Sequence, residues 1–337
     1  MKKNFRYSLE NFRGVSIIFV MLSHMLSMQN MGEIGSIFYY IVGDATAWFV
    51  FISGYLFYYL ETNKFDYLNY LSKKFKFVVL PYLILSVPAI LFWIYLSQNV
   101  LYGLTPSAFF VWSLIVGGIA VGPMWFIPMI LIFFILSPIF NLASKNKSIY
   151  LIFLLSIIFS IFSSRPINNT NPMLSFFHFL GFYIFGIVVA KNSELIDKFG
   201  SYKIIILIIL GFSVFFLLGF FIRGTSNGSS GFFSGLGELN YVLIGKLVLL
   251  IAIFLLFERF FERKNVVLGY FAKISFGLFF IHGFMGMIFQ KLSQKISFSY
   301  PMTNFLCEVL AIIFGSVFIV FLVKKILGKW SRYVIGC

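Results

Sequence analysis

The sequence predicts an all-α, polytopic integral membrane protein with about ten transmembrane helices and both termini in the cytoplasm. Three observations lead there. Charged residues make up only 11% of the 337-residue chain, against about 25% in soluble domains, too few to cover a globular surface. Hydrophobic residues reach 60% and mean hydropathy is +0.96, which excludes disordered and fibrous classes as well. The basic residues are also distributed with a strong bias to one side of the membrane, as worked out below.

A spanning helix needs roughly 20 mostly apolar residues. Ten such stretches occur: 14–30, 37–60, 77–97, 123–141, 149–163, 174–190, 203–222, 241–257, 266–289 and 305–323. The first follows MKKNFRY, as a secretory signal would. No small-residue cleavage site comes after it and nine further apolar stretches do, so it reads as an anchored helix. An eleventh stretch, 106–121, is short and glycine-rich and reads as re-entrant or interfacial. The expected organisation is one membrane domain over 1–337 with no separate soluble domain.

The net charge of +15 comes from 26 Lys and Arg against 11 Asp and Glu. With the N-terminus inside and the spans alternating, 20 of the 26 cations fall on cytoplasmic segments. Four are outside (Arg165, Arg223, Lys291, Lys295), and Lys246 and Lys273 lie within spans. The charge therefore marks orientation, and nucleic acid is not an expected partner; the lipid bilayer is. Two cysteines, Cys307 and Cys337, make neither a disulfide framework nor a metal-ligand spacing. The outer loops 163–172 and 223–240 are polar, rich in Gly, Ser and Asn, and nearly uncharged. They suit either neutral hydroxylated ligands such as sugars or plain connectors.

An ionisable group within a span costs about 2.5–3.5 kcal/mol on insertion scales, so each is a functional candidate. Arg13 and His24 lie eleven residues apart in NFRGVSIIFVMLSHML. At about 100° per residue both project from one helix face, about 16 Å apart along the axis. An arginine at the cytoplasmic mouth suits a phosphate-bearing substrate. A neutral imidazole deeper in the membrane suits a general base that takes a proton from a hydroxyl. The plainer readings are a topology anchor for Arg13 and a packed, hydrogen-bonded residue for His24. Asp44, His178, Lys246, His282 and Glu308 are further intramembrane candidates. The three histidines stand on three helices without a second ligand at metal spacing, so no metal site is expected. Lys73, Lys74 and Lys76 in SKKFKFVVLPY (72–82) give the cytoplasmic mouth an anion-attracting set suited to a nucleotide diphosphate, or anchor the third span.

Taken in order, these residues resemble the membrane acyltransferase-3 family of O-acetyltransferases. ENFRGVSIIFVMLSH is similar to the family's opening motif through Glu10, Arg13, Gly14 and His24, with Glu10 in place of an aspartate. WFVFISGYLF (48–57) matches the second-span pattern through Ser53 and Gly54. KKFKFVVLPY resembles the third-span basic run, with Lys74 where an arginine is usual and Phe77 where a further basic residue is common. MWFIPMIL matches through Trp125 and Phe126. SFGLFFIHG matches through Ser275 and His282, with Phe279 replacing a tyrosine.

The resemblance implies transfer of an acetyl or other short acyl group from acyl-CoA to a sugar hydroxyl. Acetyl-CoA is the expected co-substrate, with no tightly bound cofactor. It implies catalysis by His24 with Arg13 and Glu10 as its partners, and Arg13, Lys74 and Lys76 as the CoA-binding set. Ser53, Trp125 and His282 become substrate or structural candidates beside Asp44 and Glu308. Glu10 stands at i, i+3 from Arg13 and is placed to orient it. The location implied is the bacterial inner or plasma membrane. Many members carry an added extracytoplasmic esterase-like domain; this chain ends after the tenth span, which favours a lipid-linked saccharide or surface polysaccharide as acceptor. The rival reading is a transporter or flippase of a lipid-linked or small polar substrate. Such a protein has no special need of the Arg13/His24 spacing, and the two halves show no internal duplication.

Overall fold

The computed structural model describes residues 6–25, 31–43, 45–96, 103–162, 169–197, 201–221, 240–295 and 300–337, and among these no strand occurs. Asp44 and most of the two polar outer loops (163–168 and 223–239) lie outside the described residues. The helices are α1 (Tyr7–Ser23), α2 (Gly32–Val42), α3 (Thr46–Leu56), α4 (Tyr67–Lys74), α5 (Leu80–Leu96), α6 (Pro106–Val116), α7 (Phe126–Ile135) and α8 (Ser137–Lys145). They continue as α9 (Ser148–Phe162), α10 (Pro172–Lys191), α11 (Ser193–Asp197), α12 (Ser201–Phe221), α13 (Tyr241–Phe260), α14 (Val266–Ser293), α15 (Pro301–Leu327) and α16 (Ser331–Val334).

Each of the ten apolar stretches is mostly helical over its described residues. Among the described residues, six helices are long and apolar enough to cross a membrane, and a seventh is counted if a bent pair is one span. The bent pair is α7 and α8, which meet at 53°. Pro138, at the start of α8, has no N–H and disfavours helical geometry in the residue before it, so the helix breaks there. Three expected spans are not among these: α1 and α9 have 17 and 15 described residues, and α13 carries Lys246, Glu258 and Arg259. α6 has 11 residues, about 16 Å at 1.5 Å each, roughly half the hydrocarbon thickness. Thr105 caps its start by accepting from Ala108 N, and Gly117, at φ +85°, ends it.

Two compact units are built from interleaved parts of the chain. The first comprises residues 1–16, 46–70 and 132–272. Its centre is the crossing of α3 with α10. Gly54 lies against the Tyr183 carbonyl and Gly186 against the Phe51 carbonyl, so close that a methyl at either position would strike backbone. Small residues let membrane helices approach in this way. Phe12 on α1 packs among Trp48, Phe51, Phe254 and Phe257, at ring separations of 5.6 to 6.3 Å. Polar contacts hold the start of α1 onto the end of α13. Glu258, buried, accepts from Arg6 Nη1 at 2.9 Å and Ser8 Oγ at 2.7 Å, and Asn11 Nδ2 donates to the Phe261 and Arg263 carbonyls. These buried polar groups explain why α1 starts seven residues before the apolar stretch. Lys191, counted above as a cytoplasmic anchor, donates to the Ser144 and Asn146 carbonyls at the end of α8, a favourable place for a cation.

The second unit comprises residues 17–45, 71–131 and 273–337. Tyr82 on α5 donates to the Leu114 carbonyl of α6 at 2.7 Å, and Trp93 to the Ala120 carbonyl at 3.1 Å. These bonds hold the short helix and the loop after it. α14 and α15 pack through their glycines: Gly277 lies against Val320 and Gly315 against Met285.

Candidate active site

Within the second unit, residues from three separate stretches of chain come together around one histidine pair. His24 is the first residue beyond α1, where the helix closes through His24 N to Met21 O and Met25 N to Leu22 O. Its side chain is exposed in the described structure, which places it on a surface rather than in packing. The His282 ring on α14 lies 5.4 Å from it, centre to centre, with the planes 43° apart. His282 is 1% exposed. Its Nδ1 stands 3.0 Å from the Leu278 carbonyl one turn earlier. A carbonyl only accepts, so the bond assigns the proton to Nδ1 and leaves Nε2 of the neutral ring as an acceptor. Among the described residues Nε2 has no hydrogen-bond partner.

The ring separation is informative. An N–H···N bond of about 2.9 Å between two imidazoles puts their centres about 5.2 Å apart. The observed 5.4 Å is close to that spacing, so the two rings stand near hydrogen-bonding separation. An imidazole N–H donated to such a lone pair leaves the other ring nitrogen as an acceptor, and the bond strengthens when the donor ring becomes cationic.

Aromatic rings continue from the pair. Phe279 is 6.0 Å from His282, Phe126 is 5.4 Å from Phe279, and Trp125 is 6.3 Å from Phe126. A glycine makes this possible. Gly283, next to His282, faces Val121 and Pro123, where an added methyl would come within 2.9 Å of both. Only a residue without Cβ lets the 121–125 segment settle onto α14 there. The motif carrying His24, the motif carrying Trp125 and Phe126, and the motif carrying His282 thus meet at one place. Ser275, two turns before His282, is fully buried, and its Oγ has no partner among the described residues.

Other candidates lie elsewhere. Glu10 and Arg13, both half-buried, belong to the first unit. The Glu10 carboxylate lies beside Gly269 in the first turn of α14, where a helix N-terminus favours negative charge. Gly14, next to Arg13, lies against the Leu268 carbonyl so closely that any side chain would collide. Gly14 of the first-helix motif therefore serves close helix approach, as Gly54 does in the second-span motif. Ser53 is half-buried on α3. His178 packs edge-on against Phe179 at 4.9 Å in the first unit, and Glu308 is buried on α15. Among the described residues no group of three or more His, Cys, Asp or Glu could hold a metal.

Lys74 ends α4, half-buried, and Lys76 is exposed. Between α4 and α5 the backbone makes a π-helical turn, Phe75–Val79; a second occurs at Phe57–Glu61, after α3. Such wide turns occur often at functional sites. Their sequences, FKFVV and FYYLE, carry no proline or glycine that would announce them. The pairing of His24 with His282 was likewise invisible in sequence, although each residue stood out, because 258 positions separate them.

The sequence profile described as an acyltransferase domain matches residues 6–325. Comparison with curated proteins and with solved structures gave no match. With that profile covering nearly the whole chain and apolar spanning helices in place, the protein belongs to the acyltransferase-3 family and is a membrane acyltransferase.

Proposed function

We propose that the protein transfers a short acyl group, acetyl foremost, from acyl-CoA to a hydroxyl of a lipid-linked saccharide or cell-surface polysaccharide, with His24 as general base. The observation that carries this reading is the His24–His282 pair: an exposed imidazole beside a buried one whose tautomer is set by the Leu278 carbonyl. His24 takes the proton from the acceptor hydroxyl as its oxygen attacks the thioester carbonyl. The tetrahedral intermediate collapses, the carbon–sulfur bond breaks, and the proton passes from His24 to the departing CoA sulfur. His282 Nε2 accepts from the other His24 nitrogen throughout. Trp125, Phe126 and Phe279 line the apolar side of the reacting group.

The wider reading is a body of ten spans in the cell membrane, bacterial inner or plasma membrane, with both termini cytoplasmic; helix over most described residues of each stretch and the 20-of-26 cation bias support it. The profile match runs through both compact units, which supports one acyltransferase domain over 1–337. Family membership favours acyl transfer over carriage of a lipid-linked substrate. Donor binding belongs to Arg13, Lys74 and Lys76, and Glu10 orients Arg13 from one turn away.

The experiment is to incubate membranes containing the protein with radiolabelled acetyl-CoA and lipid-linked glycan acceptors. Wild type labels the acceptor and His24→Ala does not. Equal labelling by both removes His24 from catalysis.

A further inference from the structure

The notable unassigned feature of the second unit is its last ten residues. After α15 the chain turns through Gly328 at φ +52° into a short 3-10 turn, Gly328–Trp330, and α16. α16 packs on α5 and on the π turn Phe75–Val79. The packing is specific. Ile335 is 1% exposed, and Ser331 Oγ, also buried, lies 2.8 Å from the Gly328 carbonyl and 2.7 Å from that of Cys337. Gly336, at φ +76°, faces the Phe77 carbonyl and the Phe280 ring at distances a methyl would barely tolerate. The Arg332 guanidinium is thereby held 3.8 Å over the Phe77 ring, with Tyr333 5.5 Å from the same ring.

We propose that Arg332 is a phosphate-binding residue of the acyl-CoA donor site, supplying beside Phe77 a cation that the helix itself lacks there. This rests on the donor reading above. Four observations support it. The guanidinium carbon lies 3.8 Å from the Phe77 ring centre, and a guanidinium packed on a ring still has N–H groups that fork onto phosphate oxygens. The side chain is exposed yet restrained by the ring, so less freedom is lost on binding. Lys76 is the neighbour of Phe77 and Lys74 lies three residues before it, so all three cations gather around one turn. Finally, no Asp or Glu occurs between residues 71 and 131 or after Glu308, so basic side chains predominate in these segments, which favours an anionic ligand. An exposed cation suits the terminal 3′-phosphate of CoA better than the inner diphosphate.

Phosphate chemistry is shared by anionic lipid headgroups, so the test separates the two sources. Full-length protein is placed in nanodiscs of phosphatidylcholine, with or without phosphatidylglycerol, and titrated with acetyl-CoA and with 3′-dephospho-acetyl-CoA. Wild type prefers acetyl-CoA by about tenfold, the scale of one charge-assisted contact. Arg332→Gln weakens acetyl-CoA about tenfold, leaves the dephospho form unchanged and so abolishes the preference. Phe77→Arg in the Arg332→Gln background restores it, a rescue that a purely structural role would not permit. The thermal unfolding midpoint checks that each variant is folded. An Arg332→Gln protein that keeps the wild-type preference overturns the proposal. So does a variant that loses only its response to phosphatidylglycerol, which assigns the cation to lipid. Wild type that binds neither nucleotide refutes the donor reading itself, a result distinct from either.

Discussion

Replacing His282 by phenylalanine keeps a ring of similar bulk at a buried position and removes the Nε2 acceptor. In the ground state little is lost, because neutral His24 is a weak donor. In the transition state His24 becomes cationic, and its N–H bond to Nε2 becomes charge-assisted. Such bonds contribute about 1.5–3 kcal/mol, against 0.5–1.5 for neutral ones. The differential, about 1.5 kcal/mol, appears in the barrier and corresponds to roughly a tenfold fall in kcat. Loss of tautomer control removes up to a further factor of about two, since either His24 nitrogen then carries the proton. The expected outcome is a kcat reduced about ten- to thirtyfold, with KM for acetyl-CoA unchanged. His282→Gln, whose side-chain oxygen also accepts, retains most of the activity. The assay is initial-rate acetyl transfer at saturating acceptor, with the unfolding midpoint measured in parallel. A folded His282→Phe protein with wild-type kcat refutes the reasoning. A fall in KM-limited rate alone refutes it equally, because a positioning residue for the base acts after the donor is bound.

Two further outcomes follow from packing. Gly54→Ala drives a methyl into the Tyr183 carbonyl; backbone cannot step aside as a side chain can, so the variant loses about 1–3 kcal/mol and its unfolding midpoint in detergent drops, whereas Gly122→Ala, with open space around it and no left-handed backbone, changes the midpoint far less. Glu258→Ala removes the acceptor of Arg6 and Ser8 and costs about 1–3 kcal/mol, less than a fully buried pair because Arg6 is partly exposed; limited proteolysis then cuts near residue 7 at a protease dose that spares wild type.

Hydropathy and charge made the helical membrane body legible, because lipid imposes length and orientation on each span separately. The departures arise where protein replaces lipid as solvent. α1 starts early since Ser8 and Asn11 find buried protein partners, and α13 accommodates Glu258 because Arg6 and Ser8 reach it. His24, Trp125 and His282 were each legible as motif residues, whereas their convergence was not, for it depends on contacts between distant segments. The glycines of two motifs, Gly14 and Gly54, stood in sequence only as motif matches, and the structure makes them places where backbone meets backbone. Arg332 had no signal at all in its own neighbourhood beyond its charge, since its significance comes from the ring beneath it.

The reciprocal contact of Gly54 with Tyr183 and of Gly186 with Phe51 has a bearing on biogenesis. Helices enter the bilayer one after another and associate afterwards, so α3 must wait in lipid while more than a hundred residues are synthesised before α10 arrives. A bare glycine notch is a safe surface to expose during that delay: it offers no polar side chain to attract a wrong neighbour. It commits to a partner only when the matching notch of α10 comes alongside, which makes emergence of the sixth apolar stretch the earliest moment at which the first unit can close.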